Sequence, residues 1–171
     1  MKRFLFILMF MFGCSGKNIE NYKNNTPKLD LRTFLNGKTK AWGVLEDRKG
    51  RITRRFSVEM ETTWNENDGT LKEYFTFDDG EKSQRIWKIK YNNNSTFTAT
   101  AQDVIGVAKG KQAGNALQMN YVLNLKVGNK NYHVKLDDWM YQLDEKTLVN
   151  KSEIKKFGIT FARLTIFFTM Q

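Results

Sequence analysis

The chain has 171 residues, 40% hydrophobic and 27% charged, with 28 Lys and Arg against 18 Asp and Glu for a formal net charge of +10. This composition describes one globular domain with its own core and excludes a disordered chain or two full domains. One proline excludes collagen-like and proline-rich architectures, and a single cysteine with a single histidine excludes intramolecular disulfides, cysteine-cluster zinc sites and HExxH chemistry.

In chain order, Lys2 and Arg3 precede the apolar run from Phe4 to Phe12, which ends in Gly13-Cys14-Ser15. Such a run spans about 14 Å as a helix, half of a bilayer core, so residues 1–13 are expected to form a signal peptide rather than a membrane span. Cys14 follows a small residue, in the slot where a bacterial lipoprotein takes a diacylglyceryl thioether, is cut, and is acylated on its new amine. It is therefore the expected lipid attachment site. Three acyl chains at ~0.8 kcal/mol per buried CH₂ would hold the protein on a membrane. Ser15, where an aspartate would retain the protein at the inner membrane, points to the outer membrane of a Gram-negative envelope, on its periplasmic face. Residues 14–28 are asparagine-rich and end in Thr26-Pro27, which predicts a flexible tether, and residues 29–171 form the single folded domain.

Asp30 caps a predicted short helix near residues 30–36, stopped by Asn36-Gly37. From there period-two alternation dominates. Phe56, Val58, Met60 and Trp64 share one parity, and Leu117, Met119, Tyr121, Leu123 and Leu125 share another, each interleaved with polar residues. Strands are expected near 39–46, 51–64, 71–78, 84–91, 95–105, 115–127, 131–140 and 159–169, separated by turns such as Asn67-Asp68-Gly69, Asp78-Asp79-Gly80 and Gly128-Asn129. Gly106, Gly110 and Gly114 suggest a bulge followed by a loop. Asn150 and Glu153 in capping-box spacing, with Gly158 beyond, predict a second short helix near 151–157. The fold class is all-β: an antiparallel up-and-down barrel of about eight strands, with a two-sheet sandwich as the alternative.

These residues resemble a known family. Leu29-Asp30-Leu31, Ala41-Trp42-Gly43, Arg54-Arg55-Phe56, Asp79-Gly80-Glu81, Arg85-x-Trp87, Asp103-Val104-Ile105-Gly106, Asp137-Asp138-Trp139-Met140-Tyr141 and Lys156-Phe157-Gly158-Ile159 are similar to a proteobacterial lipoprotein family, the domain of unknown function 3833. The resemblance covers essentially the whole chain after Cys14 and implies a strand-rich, lipocalin-like barrel. The family's association with enzymes resembling cyclopropane fatty acid synthases implies lipid or envelope biology, without a reaction.

Arg48, Lys49, Arg51, Arg54 and Arg55 form a candidate patch for anionic headgroups on the first hairpin; the alternative is a solvated turn. Nucleic acid is not an expected partner, because no aromatic-interleaved recognition motif is present. His133 alternates away from Tyr132 and Val134 and should face water. Asp137 and Asp138 point to opposite faces and are not preset as an acid/base pair.

Two charges carry inward parity. Arg85 shares it with Trp87 and Ile89, and Asp103 shares it with Phe97, Ala99 and Ala101. A turn at Asn92-Asn93-Asn94 with residue numbers summing to about 186 puts Arg85 opposite Ala101 and one diagonal step from Asp103. Isolated inward charges would cost several kcal/mol, so a salt bridge is expected between them. Arg85, Asp103, Trp87, Tyr121 and Met119 are therefore the candidate ligand-binding residues of a barrel that binds or shields a lipid or fatty acid, with no cofactor or metal expected. The alternatives are a filled barrel with a protein-partner surface, and a small lipid- or glycan-acting enzyme using carboxylates.

Overall fold

A computed structural model describes residues 16–171. Cys14 and the apolar run before it lie outside the described residues. Ten antiparallel strands form one closed barrel: β1 Gly37–Asp47, β2 Ile52–Asn65, β3 Asp68–Phe77, β4 Lys82–Tyr91, β5 Thr96–Thr100, β6 Val104–Ala113, β7 Ala116–Val127, β8 Lys130–Gln142, β9 Thr147–Lys156 and β10 Ile159–Met170. Each strand pairs with its sequence neighbours, and β1 closes the ring on β10 from Thr39↔Met170 to Asp47↔Ala162. The up-and-down topology predicted from the alternation is present, and closure leaves no free sheet edge.

The strand count is ten rather than eight, for two physical reasons. The segment 95–105 is broken by a turn at 101–103 into β5 and the start of β6. β6 then continues to Ala113, through residues read as a loop. Gly106, at φ +72, marks the expected bulge at a register shift against β7, and Gly110 makes room for the Phe97 ring, which a Cβ would meet at 2.0 Å. The second strand missed is β9. No helix forms at 151–157, because Leu148, Asn150, Ser152 and Ile154 alternate inward as a strand. Phe157 and Gly158, at φ +51 and +78, form the tight β9–β10 turn, with both central residues left-handed as a type I′ turn requires.

The predicted helix near 30–36 is present as α1, Leu31–Phe34, with the Asp30 side chain accepting from the Arg32 N–H at 2.9 Å. Leu31, Phe34 and Leu35 are buried in the main core and plug the barrel end at which β1 begins. The tether is partly folded. Ile19–Tyr22 forms a 3₁₀ turn against the outer wall, where Ile19 is buried with Ala116 and Trp139, and the Tyr22 ring lies 5.4 Å from Tyr141. Among the described residues no helix is long and apolar enough to cross a membrane.

Candidate ligand-binding cavity

The barrel interior is not filled. A cavity of about 280 Å³ runs from the α1 plug toward the opposite end, where Leu45, Phe56, Phe75, Phe77 and Leu125 surround it. Its volume lies just below the roughly 300–1,000 Å³ typical of small-molecule sites. Most of the lining is aliphatic or aromatic. One belt is polar, formed by Glu73 on β3, Arg85 on β4, Tyr121 on β7, Asp138 on β8, and Asn150 and Ser152 on β9.

The predicted ion pair is there. Arg85 donates from Nε and Nη2 to Asp103 Oδ2 at 2.9 and 2.6 Å. The register differs from the expected one: Lys88↔Thr100 and Ile89↔Ala99 sum to 188 rather than 186, and the ladder ends at Thr100, so Asp103 meets Arg85 from the turn at 101–103 rather than from a paired strand position. Asp103 Oδ1 is buried and has no donor. Trp87 and Met119 line the same cavity, and Trp87 meets Tyr121 edge-on at 5.5 Å. The five candidate binding residues are thus brought together, with Asp103 reaching the cavity through Arg85.

Of the other titratable groups in this belt, Glu73 was not singled out from the sequence, Asp138 was weighed there only as half of the Asp137–Asp138 pair, and Tyr121 was already a candidate. Glu73 stands opposite Arg85 in the β3–β4 ladder and accepts from Trp87 Nε1 at 3.2 Å. Burial raises its carboxyl above the usual range, against the opposing pull of the Arg85 charge. Asp138 accepts from Asn150 Nδ2 and Ser152 Oγ, and burial again raises it despite those hydrogen bonds. Burial and the nearby carboxylates hold the Tyr121 hydroxyl protonated, well above its usual range. Glu73 and Asp138 share the parity of Leu71 and Leu136 respectively, so the alternation that located Arg85 also carried this signal. Asp137, on the outer face, accepts from Gln118 and from Trp139 Nε1.

The first-hairpin patch is not a continuous cationic surface. Arg51 pairs with Asp47 at 2.6 Å, Arg55 with Asp78, and Arg54 turns to the cavity mouth, lies over Phe77 and pairs with Asp79 and Glu81. Neighbouring carboxylates thus take up three of its five cations, leaving Arg48 and Lys49 exposed. His133 faces water, as expected. Among the described residues no three His, Cys, Asp or Glu side chains are grouped to hold a metal ion.

A comparison with curated proteins finds no match. Among solved structures, the chain is similar to the S-type phycobiliprotein lyase CPES from Guillardia theta, with a TM-score of 0.57 at 8% identity, over 90% of this chain and 96% of that one. That likeness is one of fold. The family described as "Protein of unknown function (DUF3833)" matches residues 8–170, and the chain belongs to it.

Proposed function

We propose that this protein is an envelope lipoprotein, anchored through acylated Cys14, whose barrel binds a small amphiphile of the lipid or fatty-acid class. The observation that carries the reading is the unfilled, largely apolar cavity with a single charged belt inside it. A purely structural barrel would pack that volume, because an empty cavity costs roughly 24 cal/mol per Å³. The ligand's apolar body lies among Phe56, Phe75 and Leu125. Its polar end meets Arg85, whose Nε and Nη2 are taken by Asp103, leaving Nη1 to donate. The similarity to a lyase-like barrel supports a small-molecule site.

A second reading rests on a specific observation. Glu73, half-buried, and Asp138, buried, are two cavity-lining carboxyls with raised pKa, the condition for proton transfer to or from a bound apolar substrate. The binding step common to both readings is tested by titrating an environment-sensitive fluorescent fatty acid into the protein. Saturable enhancement, displaced by unlabelled fatty acid and weakened about tenfold or more in Arg85→Met, is the expected result, since a charged hydrogen bond is worth ~1.5–3 kcal/mol. No saturable signal in the folded wild type would overturn the reading.

A further inference from the structure

The β8–β9 ladder runs from Gln142↔Leu148 to Lys135↔Lys155 and stops. Above that point the β7–β8 and β9–β10 hairpins separate. A groove of about 510 Å³ opens between them, lined by Tyr132, His133, Lys135, Lys155, Lys156 and Phe157. Lys156 sits over the Tyr132 ring at 4.4 Å and near the Phe157 ring at 5.4 Å. No acidic residue occurs from Asn124 to Lys135. Between Lys151 and Arg163 the only one is Glu153, which pairs with Lys155 at 2.7 Å. Lys126, Lys130, Lys135, Lys156 and Arg163 form no ion pair among the described residues.

Beyond these cations the hairpins present apolar tips. Val127 is 57% exposed, Ile159 54% and Phe157 92%. Phe157 also occupies a left-handed position, φ +51, where a type I′ turn favours Asn or Gly. Its ring is almost wholly in solvent, so the fold offers little to offset that choice of residue. The β3–β4 hairpin differs in sign, with Asp78, Asp79 and Glu81.

We infer that the β7–β8 and β9–β10 tips form a docking surface for an anionic phospholipid bilayer, with the lysine groove taking a headgroup phosphate and Phe157, Val127 and Ile159 entering the interface. A layer of cations behind apolar tips matches the order of a bilayer surface, anionic outside and apolar within. A free phosphate would satisfy the lysines and leave the tips unexplained. This surface adjoins the β1–β2 hairpin, because β10 pairs with β1 as far as Asp47↔Ala162, but it uses none of that hairpin's cations and does not depend on a ligand in the cavity.

The test uses the full chain in a Cys14→Ser background, with an environment-sensitive fluorophore on Asn129→Cys at the β7–β8 tip or on Glu145→Cys in the exposed β8–β9 turn at the opposite end. A local probe separates rim docking from any attachment through the N-terminal apolar run. Equimolar phosphatidylcholine–phosphatidylglycerol vesicles should blue-shift the Asn129 probe and leave the Glu145 probe unchanged. The shift should vanish in ~1 M salt, where the Debye length falls to about 3 Å. Reversing Lys126, Lys130 and Lys156 to glutamate should weaken the Asn129 response at least about a hundredfold, at roughly fivefold for each lysine charge lost. Phe157→Ser should reduce the shift while leaving the fold intact. No shift at Asn129, an equal shift at Glu145, or an equal shift with phosphatidylcholine alone would overturn the inference.

Discussion

Burial decides the charge of the polar belt inside the barrel. Glu73 and Asp138 have carboxyl pKa values raised above those of an unfolded chain, so the folded state holds protons that the unfolded state has already released. Their contribution to stability is fully present below the ordinary carboxylate range, near pH ~4, and is lost as pH rises through their raised values. Glu73→Gln with Asp138→Asn should flatten that decline, with little change in Tm at acid pH and a growing advantage over wild type toward neutrality. Parallel pH profiles of thermal unfolding for variant and wild type would contradict it. The Arg85–Asp103 pair was legible in the sequence because two charges interrupted an apolar parity on either side of one short turn. Glu73 and Asp138 lie on strands without such a turn between them. Each has readable parity, but their meeting at one height depends on the register of the whole ring.

The elements show where local signals compete. Asn150, Ser152 and Glu153 imitate a helix start, yet β9 forms because Leu148, Asn150, Ser152 and Ile154 face inward with period two and the strand pairs on both edges, with β10 from Thr147 to Lys156 and with β8 from Leu148 to Lys155. A capping preference of about 1 kcal/mol does not outweigh two ladders. The 3₁₀ turn at Ile19–Tyr22 was hidden for the opposite reason. Its sequence is polar and short, and its hold comes from Ile19 against Trp139, the Glu20–Lys111 pair at 2.6 Å and the Asn25 N–H bonded to Tyr22 O. Gly114 permits this packing: its φ is +56, and a Cβ there would stand 1.6 Å from Tyr22 O. Gly114→Ala should therefore release the N-terminal segment without opening the barrel, accelerating tryptic cleavage at Lys17, Lys23 and Lys28 while the strand signal in circular dichroism is retained. Unchanged protection of these sites would show that Gly114 has no part in holding the segment.

At the scale of the molecule, the two barrel ends differ. One is plugged by Leu31, Phe34 and Leu35 from α1, and the other carries the aromatic mouth, with Arg54 clamped by Asp79 and Glu81. Alternation along the strands made the barrel readable, since each strand has one apolar face and closure buries all of them together. The cavity was not readable, because its volume depends on which side chains meet across the ring. The central claim is that this space holds a ligand in the cell, and native mass spectrometry of the protein extracted from its own membranes tests it most directly. We predict an acylated Cys14 and an additional noncovalent mass in the lipid or fatty-acid range, diminished in Arg85→Met and identical between wild type and the Glu73→Gln and Asp138→Asn variants. A different co-travelling mass in those two variants would assign the carboxyls to catalysis, and a folded wild-type protein with no bound mass would contradict the binding account.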